Sequence, residues 1–196
     1  MSWTDEELLK GINYLYPYNS WRLRNGERNP KADEITNHVL NLKHPRVTPG
    51  RDPIRYDAAV AVFTKRLIAA LGRLSDEQLP QLAVIIPKST AGMYSEGMAE
   101  VAINASLSRN IRCDCECLTR ETTIEKRAGG NNRSAIDHLM SISVDSNKFN
   151  PGDRILLIDD VTTTGNSMFA CKQLLQQAGA GSVIMLALTS TVLEEQ

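Results

Sequence analysis

The feature that most constrains the fold is an alternation of short apolar runs with helical patterns, which starts at Tyr56. Five runs have the length of strands: residues 82–87, 111–118, 138–144, 154–159 and 182–189. Apolar residues recur at helical spacing over three longer stretches: residues 56–74, 96–110 and 167–180. Strands that are apolar on both faces and alternate with helices predict an α/β fold. We expect a mainly parallel five-stranded sheet with helices on both faces.

The first 55 residues follow a different pattern. Thr4 and Glu7 form a capping-box signal that predicts a short helix over residues 4–16, and residues 32–44 also have a helical pattern. Basic, loop-like residues 21–31 separate these two pieces. A segment with three prolines follows the second. We therefore predict two parts: an N-terminal cap or hood of helix and loop, residues 1–55, and a core domain, residues 56–196.

Composition excludes several classes of function. The chain has 196 residues, of which 42% are hydrophobic, and its formal net charge is −1. No apolar run approaches the ~20 residues that a membrane-spanning helix needs, and the acidic N-terminus lacks the features of a signal peptide. We expect a cytoplasmic protein with no membrane partner. The near-neutral charge also disfavours nucleic-acid binding, despite the basic residues 21–31.

Three of the four cysteines alternate along the chain, at Cys113, Cys115 and Cys117. Alternation places them on one face of a strand, where free cysteine behaves as a small apolar residue. A zinc site is the alternative, but no second cysteine pair at zinc-finger spacing and no nearby histidine accompany them. The sequence favours the buried strand.

The segment ILLIDDVTTTGNS carries the strongest functional signal. Asp159 and Asp160 end an apolar strand, and ligands of parallel sheets bind at the carboxyl ends of strands. The residues after them precede a helix, whose first N–H groups can bind an anion, and Gly165 permits close backbone approach. Two carboxylates can accept hydrogen bonds from the vicinal hydroxyls of a sugar. A phosphate site beside a diol site indicates a ribose 5-phosphate group.

Two other nucleotide-binding patterns are not met. A P-loop requires Gly-x-x-x-x-Gly-Lys-Ser/Thr, and residues 92–99 have methionine and alanine at the last two positions. No Gly-x-Gly-x-x-Gly follows a predicted strand, so a dinucleotide-binding fold is also unsupported.

This segment resembles the signature of type I phosphoribosyltransferases, and the predicted elements from residue 82 to residue 189 resemble their core. The resemblance implies that the donor is phosphoribosyl pyrophosphate (PRPP), used with Mg²⁺. Asp159 and Asp160 would be the catalytic residues that hold the ribose hydroxyls. The 5-phosphate would be bound by the loop that follows: Thr162, Thr163, Thr164, Gly165, Asn166 and Ser167. Mg²⁺ would be held mostly by donor oxygens, so no protein residue is predicted as a metal ligand.

The same resemblance implies a pyrophosphate site. Lys88 and Ser89 follow the first core strand, where the family has its pyrophosphate loop; an ordinary connection with a solvated lysine is the alternative. Residues 119–135 resemble the family's mobile lid. Its basic residues would meet pyrophosphate, or be solvated: Lys126, Arg127 and Arg133. His138 follows the lid, and a lone histidine is more often structural than a proton shuttle.

Departures from the family bear on the acceptor. Thr163 stands where purine-salvage members have an acid, which argues against a hypoxanthine or guanine enzyme. The later segments are similar to the competence-protein-like group, although the N-terminal zinc module of that group is absent. Selection of the acceptor would fall to residues 1–55.

The resemblance thus implies an Mg²⁺-dependent phosphoribosyltransferase that transfers the 5-phosphoribosyl group from PRPP to a nitrogen nucleophile, a base or an amine. The alternative is a non-catalytic protein that senses PRPP or a nucleotide, such as a regulator or a component of a defence system. We expect a homodimer, and the alternative adds a protein partner.

Overall fold

The structure is a computed structural model that describes residues 11–23, 25–125 and 134–191. Within these ranges the strands are β1 Ile12–Tyr18, β2 Leu82–Ile85, β3 Arg112–Asp114, β4 Leu118–Arg120, β5 Ile142–Val144, β6 Arg154–Thr162 and β7 Ser182–Thr191. The α-helices are α1 Glu34–Leu42, α2 Pro53–Leu71, α3 Glu96–Leu107, α4 Ala135–Leu139 and α5 Asn166–Gln177, and Ser146–Lys148 form a 3-10 turn. No described helix is both long and apolar enough to cross a membrane.

Five strands form one sheet in the order β1-β7-β6-β2-β3, and every neighbouring pair is parallel. The longest helices predicted from the sequence are present as α2, α3 and α5. The α/β fold with a mainly parallel five-stranded sheet is therefore confirmed.

Two predicted strands differ from those observed. The run at residues 111–118 bends after Asp114, whose side chain accepts a hydrogen bond from the Glu116 N–H at 2.9 Å. It therefore gives two strands, β3 in the main sheet and β4 outside it. The predicted strand at residues 138–144 was wrong as a member of the main sheet, because its first residues end α4 and the rest, β5, pairs antiparallel with β4.

The fifth strand of the main sheet comes from the N-terminal region. β1 pairs with β7, so the prediction of a helix over residues 4–16 was wrong for Ile12 to Tyr16, and the predicted cap of residues 1–55 is not free of sheet. An edge strand tolerates Pro17, which has no N–H to donate. Residues 1–10 lie outside the described part of the chain. The helix predicted near residues 32–44 is present as α1.

The apolar core lies on both faces of the sheet, and alternation along β6 divides it. Leu156 and Ile158 belong to the cluster with α1, α2 and α3, whereas Ile155 and Leu157 belong to the cluster with α5. Because successive side chains of a strand point to opposite faces, the next residues, Asp159 and Asp160, are delivered to opposite faces. The core thereby orients the site.

The three alternating cysteines do not share one face, contrary to the prediction. Cys113 and Cys115 pack against the α1–α3 cluster, whereas Cys117 is fully buried in the α5 cluster, because the chain bends between β3 and β4. All three are free thiols. Over the described ranges, no group of three or more His, Cys, Asp or Glu side chains is arranged to hold a metal ion.

Candidate functional site

The candidate site lies between β2 and β6, where the chain adds successive strands to the sheet in opposite directions. From β2 the chain passes through α3 to β3 on one side, and from β6 it passes through α5 to β7 on the other. A crevice opens between the carboxyl ends of such neighbouring strands. It holds a cavity of about 600 Å³. The lining residues are Lys43, Ile86, Pro87, Lys88, Ser89, Ser95, Met98, Arg120, His138, Asp159, Asp160, Val161, Thr163, Thr164, Gly165, Asn166 and Ser167.

Asp159 is half-buried and faces α5. Its Oδ1 accepts a hydrogen bond from the Asp160 N–H at 2.9 Å, and its Oδ2 accepts one from Ser167 Oγ at 3.1 Å. Burial, followed by the charge of Asp160, raises the pKa of Asp159 well above its ordinary value, and the two hydrogen bonds only partly oppose this. The charged form of Asp159 is therefore disfavoured in this environment.

Asp160 faces α1 and has a cationic neighbour. Its Oδ2 lies 3.5 Å from Lys43 Nζ, and its Oδ1 accepts a hydrogen bond from the Val161 N–H at 2.7 Å. Burial lowers the pKa of Lys43, but the charge of Asp160, its contact with Lys43 and the nearby Tyr18 and Asp159 together outweigh it, and the net pKa is raised. Lys43 is therefore an ammonium at neutral pH. Tyr18 is buried beside this pair, and that burial raises its pKa.

The turn after β6 presents backbone and hydroxyl groups to the cavity. Gly165 is the N-cap of α5 with φ 75°, and no side chain caps the helix. Thr163 and Thr164 are exposed, and Thr163 Oγ1 lies 2.8 Å from Thr191 Oγ1. An uncapped N-terminus of a 12-residue helix directs N–H groups and a partial positive charge at a ligand. This end of the cavity suits an anion.

The predicted 5-phosphate residues are thus brought together with one exception. Thr162 is buried, pairs with Ser190 in the sheet and is absent from the cavity lining. Ser167 lines the cavity, but its hydroxyl donates to Asp159. The turn from Thr163 to Asn166 therefore offers the directly accessible groups.

The loop after β2 forms the opposite wall. Lys88 and Ser89, which the sequence analysis assigns to pyrophosphate, line the cavity. The Lys88 N–H donates to the Met93 carbonyl at 2.9 Å, and Ser89 accepts from the Ile124 N–H at 2.9 Å, so both ends of the loop are tied. The other predicted pyrophosphate residues lie outside the described chain: Lys126, Arg127 and Arg133.

Arg120 and His138 complete this wall. Arg120 is 1% exposed, its Nε donates to the Lys88 carbonyl, and its Nη2 lies 3.3 Å from His138 Nδ1. A buried guanidinium adds positive charge behind the Lys88 loop. The His138 ring is itself buried, and this contact gives it a structural role.

Sequence reasoning did not single out three polar residues that line the cavity: Lys43, Ser95 and Arg120. Arg120 lies in the predicted lid, where the sequence analysis did not separate it from the other basic residues. Its position next to an apolar strand was a signal that could have done so. Lys43 had no local signal, because only the packing of α1 brings it to the end of β6.

Comparisons with known proteins support the fold. No family model matches the chain, and no curated protein matches it. Among solved structures, glutamine PRPP amidotransferase from B. subtilis, complexed with ADP and GMP, matches with a TM-score of 0.50 and 14% identity over 77% of this chain. This chain spans 30% of that protein.

Adenine phosphoribosyltransferase from Trypanosoma brucei matches with a TM-score of 0.49 and 14% identity, covering 83% of this chain and 81% of its own. UMP synthase from Leishmania donovani matches with a TM-score of 0.42 and 15% identity, covering 88% of this chain and 33% of its own. At such low identity these matches carry no residue roles. The match to the amidotransferase shows that the chain shares the fold of the matched part of that protein.

Proposed function

We propose that this protein is a phosphoribosyltransferase that transfers the 5-phosphoribosyl group of PRPP to a nitrogen nucleophile and releases pyrophosphate. One observation carries the proposal: a single cavity has the two carboxylates of Asp159 and Asp160, the uncapped N-terminus of α5 and the Lys88 loop in its walls. These match the three parts of the donor, namely its diol, its 5-phosphate and its pyrophosphate.

The carboxylates are suited to the ribose hydroxyls. Each carboxylate oxygen can accept about two hydrogen bonds, and each has one contact, to Ser167, to Lys43 or to one of the two backbone N–H groups. Capacity to accept a diol therefore remains. Because Asp159 and Asp160 reach the cavity from opposite faces of the sheet, one hydroxyl is expected on each carboxylate.

The turn is suited to the 5-phosphate. We assign it the N–H groups at the start of α5 and the exposed hydroxyls of Thr163 and Thr164. Ser167 is assigned mainly to the orientation of Asp159, because its hydroxyl already donates there. The phosphate thus lies at a helix N-terminus, where the helix dipole favours negative charge.

Pyrophosphate is assigned to the Lys88 loop, with Lys88, Ser89 and the charge of Arg120 behind it. Lys126, Arg127 and Arg133 remain proposed contributors. We propose that Mg²⁺ enters with the donor and is held by donor oxygens and water. The ion would supply neutralisation of the leaving group.

During transfer, the bond between C1 and the pyrophosphate oxygen breaks and its electron pair leaves with pyrophosphate. The nucleophile's nitrogen forms a bond to C1 from the opposite face and then loses a proton to water. Asp159 and Asp160 lie beside the positive charge that develops on the ribose and stabilise it electrostatically. The contacts that fix both carboxylates before reaction reduce the reorganisation that this step requires.

The test is to incubate the protein with PRPP and Mg²⁺ against a panel of bases and amines, and to measure release of pyrophosphate. We expect release that depends on one acceptor class and is lost in the Asp159→Asn, Asp160→Asn double variant. Donor binding without turnover on any acceptor favours the sensor or accessory function instead. Absence of donor binding contradicts both.

Three finer points belong to the proposal, and the last two rest on the sequence alone. These are selection of the acceptor by residues 1–55, a cytoplasmic homodimer, and kinship with the competence-protein-like group. The position of Lys43 in the cavity supports the first, because Lys43 follows α1.

A further inference from the structure

The contact between Lys43 and Asp160 joins the N-terminal region to the carboxyl end of β6. Lys43 is the C-cap of α1, and its Nζ lies 3.5 Å from Asp160 Oδ2. The side chain of Lys43 is 43% exposed and that of Asp160 is 27% exposed, so the pair is neither fully buried nor fully solvated. At such a position an opposite charge influences a carboxylate without removing it from ligands.

Packing fixes the position of Lys43. The preceding residue, Leu42, is 1% exposed, and its carbonyl accepts a hydrogen bond from Ser95 Oγ at 3.1 Å. A Cβ on Gly97 would lie 2.7 Å from that same carbonyl oxygen, so only glycine lets α3 approach α1 this closely. The end of α1 is therefore clamped to the start of α3, and Lys43 is held over the cavity.

Several charged or titratable groups face the two carboxylates. Tyr18 of β1 and Lys43 face Asp160 on the α1 side, and Cys171 of α5 lies near Asp159 on the other. Three further groups line the same cavity: Lys88, Arg120 and His138. Lys43 makes the ion pair with Asp160 that the structure places at the strand end.

Two adjacent carboxylates repel each other when both are charged, and the burial of Asp159 adds to that cost. A ribose diol binds best when both are charged, because a protonated carboxyl loses acceptor capacity. A cation fixed against one of them relieves the conflict without touching the other.

We infer that Lys43 is a positioning residue that neutralises Asp160 from outside the β6–α5 segment and so keeps both carboxylates available to the ribose hydroxyls. This inference rests on the proposed function for the identity of the ligand. It assigns the N-terminal region a task at the donor site, besides any selection of the acceptor.

The first test needs no donor. Carboxyl ¹³C NMR follows the titration of Asp159 in ligand-free, metal-free protein. In Lys43→Met we expect the midpoint of Asp159 to rise, because the charge of Asp160, which already raises the pKa of Asp159, is no longer offset by a cation. Lys43→Arg should restore the wild-type midpoint, and the exposed Lys65→Met on α2 should not change it. A midpoint unmoved in Lys43→Met overturns the inference.

The second test measures PRPP affinity by calorimetry, with Mg²⁺, between pH 6 and pH 8.5. We expect Lys43→Met to weaken binding several-fold at the acid end and much less at the alkaline end, because a protonated carboxyl loses acceptor capacity for the diol. In an Asp160→Asn background the same substitution should have little effect, because its partner charge is gone. A uniform loss at every pH, or the same loss in that background, overturns the inference and makes Lys43 a direct ligand contact.

The two tests separate the inference from the proposed function. If wild-type protein binds no PRPP, the proposed function fails, and the carboxyl titration still decides whether Lys43 controls the charge of the pair.

Discussion

The two sides of the sheet differ at the point where β6 ends. On the α5 side, Asp159 is held by its neighbour's N–H and by Ser167, all within one contiguous stretch of chain. On the α1 side, Asp160 is paired with Lys43, more than a hundred residues away in sequence. The same strand therefore delivers two unlike carboxylates: one constrained by burial and repulsion, and one compensated by a cation. On the α5 side, burial and repulsion disfavour the charge of Asp159. On the α1 side, the charge of Lys43 offsets that of Asp160.

The largest effect is expected where the α5 side touches β1. Gly165 has φ 75°, and an added Cβ would lie 2.5 Å from Ile12 Cδ1. Gly165→Ala should lower the free energy of unfolding by about 3 kcal/mol, from left-handed backbone cost and overpacking together. Urea denaturation measures this. Gly26→Ala is the matched control, because Gly26 has φ 88° and nothing within 4 Å; equal losses would remove the packing argument.

The next largest effect should be on donor affinity. Asp159→Asn and Asp160→Asn each remove a charge-assisted hydrogen bond to the proposed diol, which is worth about 2 kcal/mol, or roughly a 30-fold loss in affinity. Calorimetry with PRPP and Mg²⁺ measures both. If only one variant loses affinity, the hydroxyls bind on one side of the strand and the two-sided arrangement is wrong.

Stability should distinguish the two carboxylates even without ligand. The folded-state pKa of Asp159 is raised, so its contribution to stability is present at acid pH and is lost as pH rises from its ordinary value through the raised one. Asp159→Asn should therefore raise the free energy of unfolding at pH 7 by about 1 kcal/mol, the scale typical of relieving a strained functional site. Urea denaturation at several pH values checks this.

Asp160→Asn is the control for that experiment. It removes a partly exposed ion pair, so it should leave stability at pH 7 unchanged or slightly lower. Equal gains from both substitutions would show that the two sides are alike.

The smallest effect is expected for Ser167→Ala. The loss of the Ser167 hydrogen bond to the carboxylate, about 1 kcal/mol, should raise the pKa of Asp159 further and weaken PRPP binding a few-fold, most at acid pH. Affinity for inorganic phosphate should not change, because Ser167 is assigned to Asp159. A loss of phosphate affinity would return Ser167 to the 5-phosphate site predicted from the sequence.

The same division explains what the sequence could predict. The end of β6, the turn and α5 are contiguous in sequence, and the residue types indicate which ligand groups they can bind. Asp159, Asp160 and the loop could therefore be proposed as a site without coordinates. β1 could not be found as easily, because the capping box at Thr4 extends a helical pattern into residues 12–16. The alternation of Ile12, Tyr14, Tyr16 and Tyr18 was the signal for a strand.

Lys43 marks the limit of sequence reasoning here. Its place depends on the buried Leu42, on Ser95 and on the lack of a side chain at Gly97, three residues whose contact is tertiary. The misassigned strand at residues 138–144 has a similar cause, because the bend after Asp114 decides where its partner β4 lies. Apolar runs show which residues are buried, whereas the turns between them decide which sheet each strand joins.

The most direct test of the central claim is calorimetric titration of wild-type protein with ribose 5-phosphate, beside the Asp159→Asn, Asp160→Asn double variant and Thr164→Val. The account predicts that wild-type protein binds ribose 5-phosphate more tightly than ribose or inorganic phosphate, and that the double variant loses the contribution of the ribose while Thr164→Val loses part of that of the phosphate. Equal affinity of all three proteins for ribose 5-phosphate would contradict the account.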